Sequence, residues 1–167
     1  ARMIQFAVKA FSVDAEGDQK FIRQFKHILV DEFQDINFAQ KVMIDELLKG
    51  GAALWAVGDD DQAIYGWRGS SVDYILNFDK YYQAPGFVNL KKNYRAAPEL
   101  VAASNSLAQH FVRRRDKQLL STISTSGRIN IRKFVGETNE AEQLATTIKA
   151  LKQNGTAYRE IAILART

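Results

Sequence analysis

Acidic residues that follow strand-like apolar runs are the first sign of chemistry in this chain. In "HILVDEFQD", residues 27–35, four largely apolar residues run into Asp31 and Glu32, with Asp35 close behind. One carboxylate at such a strand end suits Mg²⁺, and its neighbour suits an attacking water. A buried strand that reaches solvent, with Asp35 capping the next helix, accounts for the same residues. A second stretch, "VGDDDQAIYGWRGS" (57–70), holds three successive aspartates, which repel one another unless a cation, basic groups or caps compensate. Gln62 follows, an amide able to sense a phosphate or a water. Tyr65, Trp67 and Arg68 come next, and rings beside an arginine are what single-stranded nucleic acid needs for stacking and backbone contact. A buried aromatic anchor under a turn is the other reading, though polar neighbours on both sides argue against burying both rings. In the third stretch, "VNLKKNYRAAPE" (88–99), Arg95 is placed to act as a finger on a developing γ-phosphate charge. An exposed basic turn with Tyr94 as a lid on the core also fits it.

The elements that must carry these residues follow from periodicity. Residues 1–12 have helical apolar spacing, and "VDAEGD" (13–18) reads as a polar turn. Residues 27–31 read as a fully buried strand suited to a parallel sheet. Ile36, Ala39, Met43 and Leu47 form a helical stripe that stops at Gly50-Gly51, and "ALWAVGD" (53–59) is the next strand. Strand, helix and strand within about thirty residues predict a parallel crossover. Further on, "GFVNL" (86–90) reads as a strand, and Pro98 starts a helix running to about Phe111. Residues 113–127 read as a polar loop or linker. "RINIRKFV" alternates like a strand, 138–153 is helical, and "EIAILA" is a buried strand. The expected class is α/β with two tandem Rossmann-like layers joined near Ala84-Pro85-Gly86, or else one continuous sheet.

Composition sets the outer bounds. The chain has 167 residues, 46% of them hydrophobic and 25% charged, which is ordinary core-forming material. It has no cysteine, so disulfide frameworks, thiolate zinc sites and cysteine nucleophiles are excluded. The net charge of +4 is compatible with a polyanionic partner. No apolar run approaches membrane-spanning length, and a cytoplasmic setting is expected. His27 and His110 have no partner pattern. Arg113, Arg114 and Arg115 read as a solvated charge run. Trp55, Phe21, Phe25 and Phe33 read as core or interface aromatics.

Taken together, the three motifs resemble those of the UvrD/Rep/PcrA-type superfamily 1 DNA helicases. "ILVDEFQD" is similar to that family's Walker B motif, "VGDDDQAIYGWRGS" to its glutamine-tryptophan motif, and "VNLKKNYR" to its adenine- and γ-phosphate-contacting motif. Order and spacing agree, and the closing "IAILART" resembles the start of a downstream family segment. The resemblance covers roughly residues 26–167.

The resemblance implies parts of two RecA-like (P-loop NTPase-type) motor domains with parallel sheets, the first over 1–84 and the second over 85–167. It implies ATP and Mg²⁺ as cofactors, with single-stranded DNA and duplex junctions as partners. Asp31 would bind Mg²⁺, Glu32 would be the base for water, and Gln62 would link the γ-phosphate to the DNA groove. Tyr65, Trp67 and Arg68 would meet single-stranded DNA. Tyr94 would stack on adenine, Arg95 would reach the γ-phosphate, and Gln34 and Asp35 would support. The activity implied is ATP-driven 3′ to 5′ translocation and unwinding, in repair or replication. A helicase-nuclease subunit and a non-catalytic single-strand-binding module are the other possibilities.

The chain also departs from the family pattern. It contains no G-x-x-x-x-G-K-[ST] loop and no motif beyond "ART", and "SVDYILNF" and "NYRAAPEL" differ from the commonest family spellings. The expectation is a fragment, inactive alone, whose uncovered faces favour self-association until the remainder of a helicase chain covers them.

Overall fold

The computed structural model describes residues 2–12, 16–83 and 86–165. They belong to two compact units, Ala1–Gly127 and Arg128–Thr167.

The first unit opens with helices α1 (Arg2–Ser12) and α2 (Glu16–Arg23). Glu16 is already helical, so the second half of the expected "VDAEGD" turn is helix, while residues 13–15 lie outside the described residues. Phe11 stacks on Phe21 at 6.0 Å, and Phe21 meets Phe25 edge-on at 5.2 Å, so these aromatics pair locally at a partly exposed surface. Strand β1 (His27–Val30) lies parallel to β2 (Ala53–Ala56), with His27 opposite Ala53 and Val30 opposite Ala56. Helix α3 (Phe38–Leu48) connects them, giving the predicted strand–helix–strand order.

Helix α3 starts on a reciprocal cap. The Asn37 side chain accepts from the Gln40 N–H at 3.0 Å, and the Asn37 N–H donates to Gln40 Oε1 at 2.9 Å. The cap is therefore Asn37 and not Asp35, which sits in the 3₁₀ turn Phe33–Asp35. After the helix, Gly51 takes φ +89°, a left-handed value that favours glycine at a helix end.

The core lies on one side of this small sheet. Phe33, Ile36 and Ile44 are buried together, and Val30, Leu54 and Ala56 pack against them. So do Tyr74 and Ile75 of α4 (Asp73–Leu76) and Phe78 and Tyr82 of α5 (Phe78–Tyr82). The opposite side is open. Leu29 is 77% exposed and Trp55 62% exposed, and Val57 is exposed beyond them. The expectation of a fully buried β1 and a core Trp55 is corrected here. Side chains alternate across a strand, and among the described residues no layer packs on the second face. Trp55 instead donates from Nε1 to His27 Nδ1 at 3.3 Å along that face.

A second parallel pair, β3 (Lys92–Asn93) with β4 (Leu120–Ser121), flanks helix α6 (Pro98–Ala108). Pro98 begins the helix as expected, but the helix ends at Ala108, short of Phe111. The expected strand at 86–90 is unpaired backbone. Strand character needs a ladder partner, and here the pairing falls two residues later, on Lys92 and Asn93. The expected joint at Ala84-Pro85 lies outside the described residues.

The second unit is built on helix α7 (Glu137–Gln153), preceded by Gly136 at φ +145°. Lys152 sits over the Tyr158 ring at 5.2 Å, just past the helix end. The expected strands at 128–135 and 160–165 carry no ladder among the described residues; 158–160 is a 3₁₀ turn instead. Arg166 and Thr167 of the closing "ART" are outside the described residues. Among the described residues the chain is thus a mixed α/β structure with two small, separate parallel sheets rather than one continuous sheet. No described helix is long and apolar enough to cross a membrane.

Candidate active site at the strand ends

Because β1 and β2 are parallel, their carboxyl ends lie side by side, and Asp31-Glu32 and Asp59–Gln62 emerge together. Backbone bonds zip this edge: the Val57 N–H donates to the Val30 carbonyl and the Phe33 N–H to the Val57 carbonyl, each at 2.9 Å. The chain then turns sharply. Glu32 adopts φ +49°, ψ +46°, a left-handed conformation that costs a non-glycine residue about 1 kcal/mol or more. That turn exposes both Asp31 and Glu32, and it folds Phe33 and Gln34 inward, where both are buried.

Gln34 joins the two strand ends. Its Nε2 donates to Glu32 Oε2 at 2.8 Å, and its Oε1 accepts from the Asp59 N–H at 3.0 Å. Gln62 Nε2 in turn donates to Asp59 Oδ2 at 2.8 Å. Glu32, Gln34, Asp59 and Gln62 therefore form one hydrogen-bonded chain across both strands. Gly58 makes it possible, because a Cβ there would stand 2.6 Å from Gln34 Oε1 and 2.7 Å from Ile75 Cδ1. The resemblance implies only a supporting part for Gln34, and the structure places it buried and bridging the two strand ends.

Asp31 Oδ1 accepts the Glu32 N–H at 2.9 Å, and its Oδ2 has no partner among the described residues. Among the described residues no group of three or more His, Cys, Asp and Glu side chains is arranged to hold a metal. One exposed carboxylate suits Mg²⁺ all the same, since that ion keeps several waters and takes one or two carboxylates beside substrate phosphates.

The three aspartates are compensated by basic groups. Lys117 Nζ lies 2.6 Å from Asp59 Oδ1 and 3.3 Å from Asp61 Oδ2, and it also pairs with Asp60. Arg114 forks onto Asp61 at 2.8 and 3.1 Å. The Arg115 N–H donates to Asp60 Oδ2 at 2.6 Å, its guanidinium reaches the Leu76 carbonyl, and Arg113 pairs with Asp73. The expectation that Arg113–Arg115 is a solvated charge run is corrected: it is a docked strap. Burial alone would push the Asp59 carboxyl up, but hydrogen bonds from Lys117 and Gln62 outweigh it and hold the pKa below its ordinary value. Burial likewise opposes the Lys117 charge, and Asp59 and Asp60 overcome it, leaving the amine above its ordinary range.

Beyond Gln62 the chain makes a 3₁₀ turn, Gly66–Arg68, closed by Gly69 at φ +84°. Trp67 is 75% exposed, and its ring meets Tyr65 edge-on at 6.4 Å. The Arg68 guanidinium lies 4.5 Å from the Trp67 centroid and 4.8 Å from that of Tyr65. This is a solvent-facing aromatic surface with a cation on it and not a core anchor.

Tyr94 and Arg95 lie at the β3 end. Asn93 Oδ1 accepts the N–H groups of Arg95 and Ala96 at 2.9 and 2.8 Å, which turns the chain into α6 and leaves both side chains exposed. No hydrogen bond, ion pair or ring contact joins Tyr94 or Arg95 to Asp31, Glu32 or Gln62 among the described residues. A cleft of about 310 Å³ lies between the Asp59–Gln62 turn and α6, with Asn93, Asn105 and Lys117 on its walls.

Comparison with known proteins gives the family of the chain. Residues 1–83 match the UvrD/REP helicase N-terminal domain, and residues 88–167 match the UvrD-like helicase C-terminal domain. The chain is 33% identical over 165 residues to the ATP-dependent DNA helicase PcrA of Staphylococcus epidermidis, and equally to that of Staphylococcus aureus strain Mu50. These alignments take in 99% of this chain and 23% of each relative, so the chain spans about a quarter of their length. With both domains matched in tandem, in order and along nearly the whole sequence, the chain belongs to the UvrD/REP helicase family.

Proposed function

We propose that this chain is part of an ATP-dependent DNA helicase that couples nucleotide hydrolysis to 3′ to 5′ movement along single-stranded DNA. The observation that carries the reading is the hydrogen-bonded chain from Glu32 through Gln34 and Asp59 to Gln62, which leads into a surface of exposed Trp67 and Arg68 beside a half-buried Tyr65. A module that only bound DNA would have no use for a strained, outward carboxylate tied to such a relay.

In this reading Asp31 would hold the Mg²⁺ that accompanies ATP, which would supply charge neutralisation at the phosphates. Glu32 accepts a proton from the attacking water, and Gln34 fixes the carboxylate that does so. Gln62 answers to the γ-phosphate or its water, and a shift of its short turn is passed along the chain to Trp67. Trp67 and Tyr65 stack on bases while Arg68 meets the backbone. Tyr94 stacks on adenine and Arg95 reaches the γ-phosphate when the two motor domains, 1–84 and 85–167, close. The separate family matches support that division. The phosphate-cradling lysine loop is not among these 167 residues, so hydrolysis by this stretch alone is negligible in this reading.

Glu32→Gln in the full-length protein tests it. The variant keeps an acceptor for Gln34 but removes the base, so DNA-stimulated ATP hydrolysis falls by about 10²–10⁴ while nucleotide binding persists. Unchanged hydrolysis would sink the assignment.

A further inference from the structure

The strap at 113–117 does more than cancel charge. Asp59, ionised and able only to accept, faces Gln62 through Oδ2 at 2.8 Å, so the atom that Gln62 offers it must be Nε2. Gln62 Oε1, on an exposed side chain, has no hydrogen-bond partner among the described residues. Its orientation therefore depends on where the Asp59 carboxylate stands. Two further groups set that: Lys117 Nζ at 2.6 Å and the Asp61 N–H at 3.1 Å, both on Oδ1. Lys117 is itself 12% exposed and held in place, because Arg114 donates to the Lys117 carbonyl at 3.0 Å while gripping Asp61. The lysine comes from the stretch matched by the C-terminal family domain, and the aspartates come from the N-terminal one.

We propose that Lys117 is a positioning residue for Gln62: acting through Asp59, it locks the Gln62 amide with Oε1 outward, as an acceptor for a water. The proposal rests on the reading of Gln62 given above. Gln62 Oε1 holds the water by accepting a hydrogen bond from it, and Nε2, with one hydrogen on Asp59, keeps its second for a phosphate oxygen. The strap therefore fixes the direction in which both groups of the amide are presented. It also ties the first-domain sensor to second-domain residues, acting on Gln62 through the Asp59 side chain while Gln34 and Glu32 are held through the Asp59 N–H.

The test compares Lys117→Met and Lys117→Arg in the full-length protein under saturating single-stranded DNA. Lys117→Met lowers kcat for ATP hydrolysis by about tenfold or more, as displaced positioning groups do, and leaves KM for ATP within about twofold. Lys117→Arg recovers most of the loss. In a Gln62→Ala background, Lys117→Met adds less than about twofold, since the residue it positions is gone. A folded Lys117→Met protein with kcat near wild type would overturn the proposal. So would a loss that multiplies fully with Gln62→Ala. If Lys117→Met does not fold, an Arg variant that moves KM and kcat together would also overturn it. A wild-type protein with no DNA-stimulated hydrolysis would count against the functional reading instead. The Gln62 side-chain NH₂ resonance then still tests the lock: it shifts in Lys117→Met if the proposal holds and stays in place if it fails.

Discussion

At the scale of single residues, the site depends on two positions that do no chemistry. Gln34 is buried and spends both ends of its amide, one on Glu32 and one on the Asp59 backbone. Gly58 leaves it room, since a methyl there would press on Gln34 Oε1 at 2.6 Å. Gly58→Ala is expected to push Gln34 out of register and leave buried polar groups unmet, at a cost of about 1–3 kcal/mol. Urea unfolding would show it as a lower midpoint with an unchanged slope. The glutamate's left-handed turn belongs with these two, because it aims the carboxylate outward while the next two residues turn into the core. The place of Asp31 and Glu32 at a strand end was legible from an apolar run followed by acids. Gln34's bridge was not, because its second partner lies 25 residues further along the chain.

At the scale of elements, local signals worked where local physics decides. Helices α1, α3, α6 and α7 fall close to the sequence expectation, since capping residues and helical stripes act within a few residues. The Asn37–Gln40 reciprocal cap is one such device. Asn37→Ala is expected to cost about 1 kcal/mol, read as a lower Tm by calorimetry. Strands fared worse. The apolar runs at 86–90, 128–135 and 160–165 have strand-like composition but no described partner, and pairing is a property of two segments rather than one. Trp55 shows the same dependence on a neighbour, since an apolar strand position is buried only when something packs on that face. The 113–117 run was misread for a related reason. Seen alone, three arginines look solvated, and only the acids at 59–61, more than fifty residues away in sequence, reveal a docked strap.

At the scale of the molecule, charge ties the first unit together. Asp59 has a lowered pKa when folded, so its contribution to stability is full above the ordinary value of 3.8 and is lost as pH falls through the folded value. Lys117 behaves oppositely: its pKa is raised, so its contribution is full below 10.5 and fades as pH rises past the folded value. Acid unfolding below about pH 4 is therefore expected to flatten in Lys117→Met, as followed by circular dichroism across a pH series. The other molecular-scale feature is the open face of the β1–β2 sheet, where Leu29, Trp55 and Val57 stand uncovered.

That open face has a spectroscopic consequence. The chain has two tryptophans, Trp55 and Trp67, and both indoles already stand largely in water. Their emission is expected to be red in the native state, so melting the protein should shift its colour little and intrinsic fluorescence should gauge unfolding poorly. The same circumstance makes each indole a sensitive reporter of contact. A blue shift from Trp55 is expected when another protein surface settles on the sheet, and quenching of Trp67 is expected if a base stacks there as proposed, so single-tryptophan variants would separate the two events optically.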